Sequence, residues 1–127
     1  MRLKTMAFMT FFILILSLPA VAGNRREELP APRLFVPTDI ADIAGKDKLE
    51  FRWDSAGSGF DHYDFSIYQG TEPYEPHVIF KEKVPAGITR ILVDTKTFKV
   101  GEYYMWSLRY AGGKKSLKAY SVFKIKG

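Results

Sequence analysis

The chain has 127 residues, a formal charge of +5 and no cysteine. Without cysteine there is no disulfide staple, no thiol nucleophile, no Cys-ligated zinc and no lipidated-cysteine anchor. The length suits a single domain behind a short N-terminal segment.

That segment comes first. Arg2 and Lys4 precede an apolar run from Met6 to Leu18, broken only by Thr10 and Ser17. Pro19 ends the run, and Ala20-Val21-Ala22 supplies small residues before Gly23. A basic end, a short apolar core and a small-x-small cut site form a secretory signal. The run is shorter than the ~20 apolar residues that a membrane span requires. The expectation is a helical signal peptide over 1–22, removed on export, so that membrane contact ends with cleavage. The protein is then periplasmic or extracellular, in a bacterial envelope setting. Residues 23–32 are charged and punctuated by Pro30 and Pro32, and read as a flexible leader. The domain proper spans 33–127.

Arg33-Leu34-Phe35-Val36-Pro37 opens it as a short strand, and 38–47 reads as a loop. Over 48–54, Leu49, Phe51 and Trp53 alternate with Glu50, Arg52 and Asp54, the period-two pattern of a half-buried strand. Residues 55–59 form a Gly/Ser turn. Tyr63, Phe65 and Ile67 then alternate with Asp64, Ser66 and Tyr68. After the Pro- and Gly-containing connection 69–76, residues 77–84 form a shorter strand with Val78 and Phe80 inward. Residues 89–94 form another, whose face is ambiguous because Ile91, Leu92 and Val93 are consecutive. Tyr104, Trp106, Leu108 and Tyr110 share one face of the next strand. Residues 111–115 read as a hairpin loop. In the last strand Leu117, Ala119, Phe123 and Ile125 are expected to face inward. No stretch of 23–127 sustains a helical apolar period. About seven short strands with regular turn signals predict an all-β antiparallel sandwich.

The stretch 32–126 resembles a fibronectin type III or related immunoglobulin-like domain. Pro32 and Leu34 open its first strand. Leu49-Glu50-Phe51-Arg52-Trp53 resembles the second strand, with its inward tryptophan, and Tyr63-Asp64-Phe65-Ser66-Ile67 the third. Phe98-Lys99-Val100-Gly101-Glu102-Tyr103-Tyr104 running into Trp106 and Leu108 is similar to the family's leucine-x-proline-glycine-x-x-tyrosine corner. Phe98 replaces the usual leucine and Val100 the usual proline. Tyr103 or Tyr104 could be the corner tyrosine; parity with Trp106 favours Tyr104, whose hydroxyl would bond to backbone upstream. The resemblance implies structural roles for Trp53, Tyr63, Tyr104 and Trp106. It also implies a spacer or binding module rather than a catalyst, and leaves the ligand unspecified.

Chemistry-bearing residues are sparse. His62 and His77 are the only histidines, and Asp61-His62-x-Asp64 lacks a closed set of metal ligands. Ser55 or Ser58 with His62 and Asp61 lacks a nucleophile elbow. No phosphate-cradling loop or zinc-protease motif occurs. No catalytic residue, cofactor or metal is expected. Tyr68, Tyr74 and Tyr120 fall outside the inward parity, and Tyr74 lies in the Pro-rich connection, where ligand contacts concentrate. Loops 57–62 and 111–115 are expected at one end of the sandwich, presenting Phe60, Lys114 and Lys115. Residues 23–95 carry nine basic and thirteen acidic side chains, whereas 96–127 carry eight and one. The basic last third serves either an anionic partner or solubility. It contains no block of five basic residues, and no nucleic-acid partner is expected. The composite expectation is an exported, monomeric, non-catalytic module engaging a protein or glycan through Phe60, Tyr74, Lys114 and Lys115. The alternative is an accessory protein that pairs with a partner chain through an exposed sheet edge.

Overall fold

A computed structural model describes residues 28–55 and 57–127. The expected signal peptide, and the leader up to residue 27, lie outside the described residues. Ten strands form in chain order: β1 (Glu28–Leu29), β2 (Arg33–Val36), β3 (Asp39–Asp42), β4 (Lys48–Asp54), β5 (Phe60–Gln69), β6 (Val78–Pro85), β7 (Arg90–Asp94), β8 (Tyr103–Gly113), β9 (Lys115–Ser116) and β10 (Ala119–Lys126). Five of them form one sheet in the order β3-β10-β8-β5-β6, and three form a second in the order β2-β4-β7. β1 and β9 pair separately. The expected two-sheet β-sandwich is what the chain builds.

The inward faces read for β4 and β8 are buried, strictly alternating in β4 and with Met105 and Ser107 buried as well in β8. Phe51, Trp53, Tyr63, Phe65, Trp106, Leu108, Tyr110, Phe123 and Ile125 fill the space between the sheets. Phe51 is the hub, with its ring edge-on to Phe65 and Trp106 at 5.2 Å each and to Phe123 at 5.8 Å. Fully burying side chains of this size stabilises by roughly 1.5–3 kcal/mol each, the term on which a chain without disulfides depends. In β7, Val93 is buried, Ile91 packs against the core and Leu92 is exposed. Its ambiguous triplet therefore resolves into ordinary alternation.

The tyrosine corner holds the end of β8. The Lys99 N–H donates to the Tyr104 hydroxyl at 2.8 Å, and the Phe98 ring stands edge-on to Tyr104 at 5.1 Å. Tyr104, not the exposed Tyr103, is the corner residue. Gly101 N–H donates to the Ile125 carbonyl at 2.8 Å, which ties the corner to β10. Two residues along β8, the Trp106 indole N–H donates to the Pro37 carbonyl at 2.9 Å.

Three local expectations are corrected. Residues 38–47 are not simply a loop, because β3 lies within them and pairs in parallel with β10, Ile40 opposite Lys124. Asp39-Ile40-Ala41-Asp42 carries no alternation of its own, and its order comes from that partner. Leu117 is 79% exposed rather than inward. It lies in the connection between β9 and β10, where the inward parity has not yet begun. Tyr68 is fully buried, although its parity places it on the outer face of the five-stranded sheet. The end of the leader also joins the fold: Glu28 and Leu29 pair with Lys115 and Ser116, and Leu29 packs against the core.

Candidate functional site

Of the four residues expected to contact a ligand, Phe60, Lys114 and Lys115 lie at one end of the sandwich, as expected, and Tyr74 lies apart from them. Phe60 begins β5, and its ring packs against Tyr110 at 4.4 Å and Tyr63 at 5.0 Å. It closes one end of the core instead of projecting from a loop. The two expected loops at this end are a continuation of the β5–β8 ladder, with Phe60 opposite Gly113. Lys114 N–H donates to the Gly59 carbonyl at 2.9 Å. Gly113 has φ +126°, and a Cβ there would lie 2.6 Å from the Gly59 carbonyl oxygen. That close approach leaves room only for glycine. Lys114 and Lys115 are exposed at this end. Tyr74 is elsewhere, in the connection between β5 and β6. It is 55% exposed, with its ring edge-on to His77 at 4.7 Å. It borders a hollow of about 220 Å³ with Gln69, Gly70 and Glu72. The structural aromatics Trp53, Tyr63, Tyr104 and Trp106 are all buried.

The groups that do converge lie on the outer face of the five-stranded sheet. Register explains how. Asp64 of β5 faces Lys83 of β6 on one side and Arg109 of β8 on the other. One row along, Ser66 faces Lys81 and Ser107, and Ser107 faces Tyr120 of β10. Residues two apart on a strand point to the same face, so these side chains form adjacent rows. Lys118, just before β10, completes the outer wall. Of these, Asp64, Ser66, Lys81, Lys83, Arg109 and Lys118 line a hollow of about 400 Å³, with Glu82 as a second carboxylate beside Asp64.

The sheet face beside the hollow is polar but sealed, and of its buried polar groups Ser66 lines the hollow itself. Ser66, Ser107 and Tyr68 are buried, and the Tyr68 hydroxyl lies 3.4 Å from Ser107 Oγ. Here lies the reason for Tyr68's burial. Tyr68 sits next to the end of β5, between Val78 of β6 and Met105 of β8; its hydroxyl finds a serine, and Lys118 Nζ reaches it from the rim at 3.4 Å. The charges are unevenly matched. Arg109 Nε donates to Asp64 at 3.2 Å, and Lys81 pairs with Glu75 at 3.3 Å. Among the described residues, neither Lys83 nor Lys118 has a carboxylate within ion-pair distance. Lys118 is half-buried, with a neutral phenol as its hydrogen-bond partner. A half-buried cation without a counter-charge favours an anion from outside.

His62 closes one end of this face, with Nδ1 3.1 Å from Asp61 and Nε2 3.3 Å from Asp64. The histidine is thus spent between two carboxylates, the second of which is also held by Arg109. Among the described residues, no group of three or more His, Asp or Glu side chains is placed to hold a metal ion.

The hollow was not legible in the sequence. Lys81 and Lys83 belong to the stretch whose net charge is acidic, and Arg109 and Lys118 to the basic last third. Period-two alternation does place each on an outward face, but only strand order brings β6 and β10 to either side of β5 and β8.

No protein-family profile matches the chain, and no curated protein matches it. Solved structures do. A computationally redesigned β-sandwich protein superposes with a TM-score of 0.59 at 11% identity, over 78% of this chain and 92% of its own. The third fibronectin III domain of the human KIAA0343 protein superposes with a TM-score of 0.50 at 13% identity, over 79% of this chain and 84% of its own. The spore cortex lytic enzyme SleM of Clostridium perfringens aligns at 13% identity and a TM-score of 0.43, over 75% of this chain and 27% of that enzyme. At such identities the likeness is one of fold, and the fold is that of a fibronectin type III-like, immunoglobulin-like β-sandwich.

Proposed function

We propose that this sandwich is an exported, non-catalytic binding module that engages a protein or glycan partner at the cell envelope or outside the cell. The observation that supports it is the hollow on the outer face of the five-stranded sheet. Four cations from β6, β8 and the approach to β10 surround it, and two of them lack a counter-charge. Nothing about the hollow suits turnover. The nearby His62 is held between two carboxylates, and Ser66, the serine that lines the hollow, is buried. Export rests on the three-part pattern of residues 1–22.

Pairing through a sheet edge is the weaker reading. The longest open edge is β6, and it carries Lys81, Glu82 and Lys83, a register shift opposite Ile67 and Tyr68, and a terminal Pro85. Charge, irregular register and proline are what sheets use to prevent strand addition. The test is direct. The purified protein is immobilised and offered a panel of glycans and soluble envelope proteins. Saturable, reversible binding without chemical change to the bound partner supports a module. Turnover of the partner, or no binding up to millimolar concentration, refutes it.

A further inference from the structure

We infer that the outer face of the five-stranded sheet is a binding site for a carboxylate-bearing polysaccharide. This rests on the binding-module reading and names its ligand class.

Three properties of the face select that class. The first is the arrangement of charge. Lys81 and Lys83 lie two residues apart on β6, ~6.7 Å along the strand. Arg109 and Lys118 lie on the far side of β5, so that the cations flank a trough instead of clustering at a point. A polymer with repeated carboxylates can meet both walls at once, whereas a single small anion meets one. The second is the lack of free main-chain groups. The trough lies over β5 and β8, whose backbone is bonded on both sides within the sheet. An acidic peptide would need either a strand edge or a deep apolar pocket for its side chains. The one edge it borders, β6, is guarded by charge, a register shift and Pro85, no deep apolar pocket opens beside it, and its recognition groups are ammonium and guanidinium. The third is Tyr120. It sits on the same face beside Ser107, and its ring is 46% exposed. An exposed aromatic ring next to hydrogen-bonding groups offers an apolar platform to a sugar ring. A chain with carboxylates on the cations would run from the trough across Ser107 to set a sugar face on Tyr120. Lys124, stacked over Tyr103 at 5.5 Å, extends the positive face beyond it.

The experiment uses the purified protein with polygalacturonate, neutral dextran and poly-L-glutamate as probes, at low and at near-physiological salt. Lys83→Gln/Lys118→Gln is compared with Lys114→Gln/Lys115→Gln at the far end, and thermal melts check that each variant is folded. Wild type is expected to bind polygalacturonate but not dextran, and more weakly as salt rises. Lys83→Gln/Lys118→Gln is expected to weaken binding about tenfold, the scale of two exposed ion-pair contacts. Lys114→Gln/Lys115→Gln should change it less than twofold. Tyr120→Ala should weaken polygalacturonate several-fold. Three results would overturn the inference: no binding of polygalacturonate by wild type, equal losses in the two lysine pairs, or equally tight binding of poly-L-glutamate through Lys83 and Lys118. If polygalacturonate fails while the panel above yields another partner, only the glycan assignment falls. If the panel also yields nothing, the module reading falls with it.

Discussion

Removing the Tyr104 hydroxyl isolates what the corner contributes to stability. Tyr104→Phe keeps the ring, which is buried and edge-on to Phe98, and deletes only the oxygen that accepts the Lys99 N–H at 2.8 Å. That N–H is part-buried and belongs to the turn leading into β8, so no strand partner replaces the lost acceptor. A hydrogen bond of this kind is worth about 1 kcal/mol net, and leaving a buried donor unsatisfied raises the cost toward about 1–3 kcal/mol. For a domain of about 100 residues, each kcal/mol shifts the midpoint by about 4–8 °C. Thermal unfolding followed by circular dichroism should therefore fall by roughly 5–15 °C in Tyr104→Phe. The urea midpoint should fall in parallel, with an unchanged slope. Tyr103→Phe is the internal control, because its side chain is exposed. A Tyr104→Phe melt that matches wild type, or that matches Tyr103→Phe, would refute the assignment of the corner and the reasoning built on it.

Further expectations concern other parts of the frame. Phe51→Ala empties the hub of the aromatic core. It should cost about 3–5 kcal/mol, a large share of a typical domain's stability, visible as a collapsed urea midpoint or loss of near-ultraviolet dichroism. Gly113→Ala forces a Cβ to within 2.6 Å of a carbonyl oxygen at a positive φ. It should destabilise by about 2 kcal/mol or more, whereas Gly87→Ala, which meets nothing within 4 Å, should stay within about 1 kcal/mol of wild type in the same denaturation assay. Lys81→Gln breaks only an exposed pair with Glu75 and should move stability by less than about 0.5 kcal/mol.

How much of this could be read from the residues depends on where the information lies. Strands that bury one face announce themselves, and β4, β5 and β8 were legible because Phe51, Phe65 and Trp106 each sit in an alternating frame. The corner was legible too, since a tyrosine at that offset has a mechanical reason to be there. β3 was not, because Asp39, Ile40 and Asp42 are all exposed and nothing local demands a strand. Its order is imposed by β10, which lies far along the chain. Tyr68 misled for a related reason. Parity correctly places it on the outer face, but cannot reveal that a buried patch with Ser66, Ser107 and Met105 forms on that face. Leu117 misled because the inward frame was extended across the break between β9 and β10. The candidate site is the extreme case. Lys81, Lys83 and Arg109 are ordinary outward residues on their strands and Lys118 lies just before β10, and only the order β10-β8-β5-β6 makes them neighbours. Net charge by segment concealed it, since Lys81 and Lys83 were averaged with thirteen acidic residues.

The strand order has a consequence for how the chain is made. β10 lies between β3 and β8, so residues 39–42 cannot complete their pairing until residues 123–126 are available. The β3 edge is not finished before then, and the corner's Gly101 also waits for Ile125. Such long-range closure belongs to the slow end of the folding range, on the order of milliseconds to seconds. During synthesis, β3 and the outer side of β8 stay open until β10 emerges, although β4–β7, β5–β6 and β5–β8 can already pair. A polypeptide proposed here to be threaded across a membrane would gain time from that delay, since its last-made strand acts as the latch.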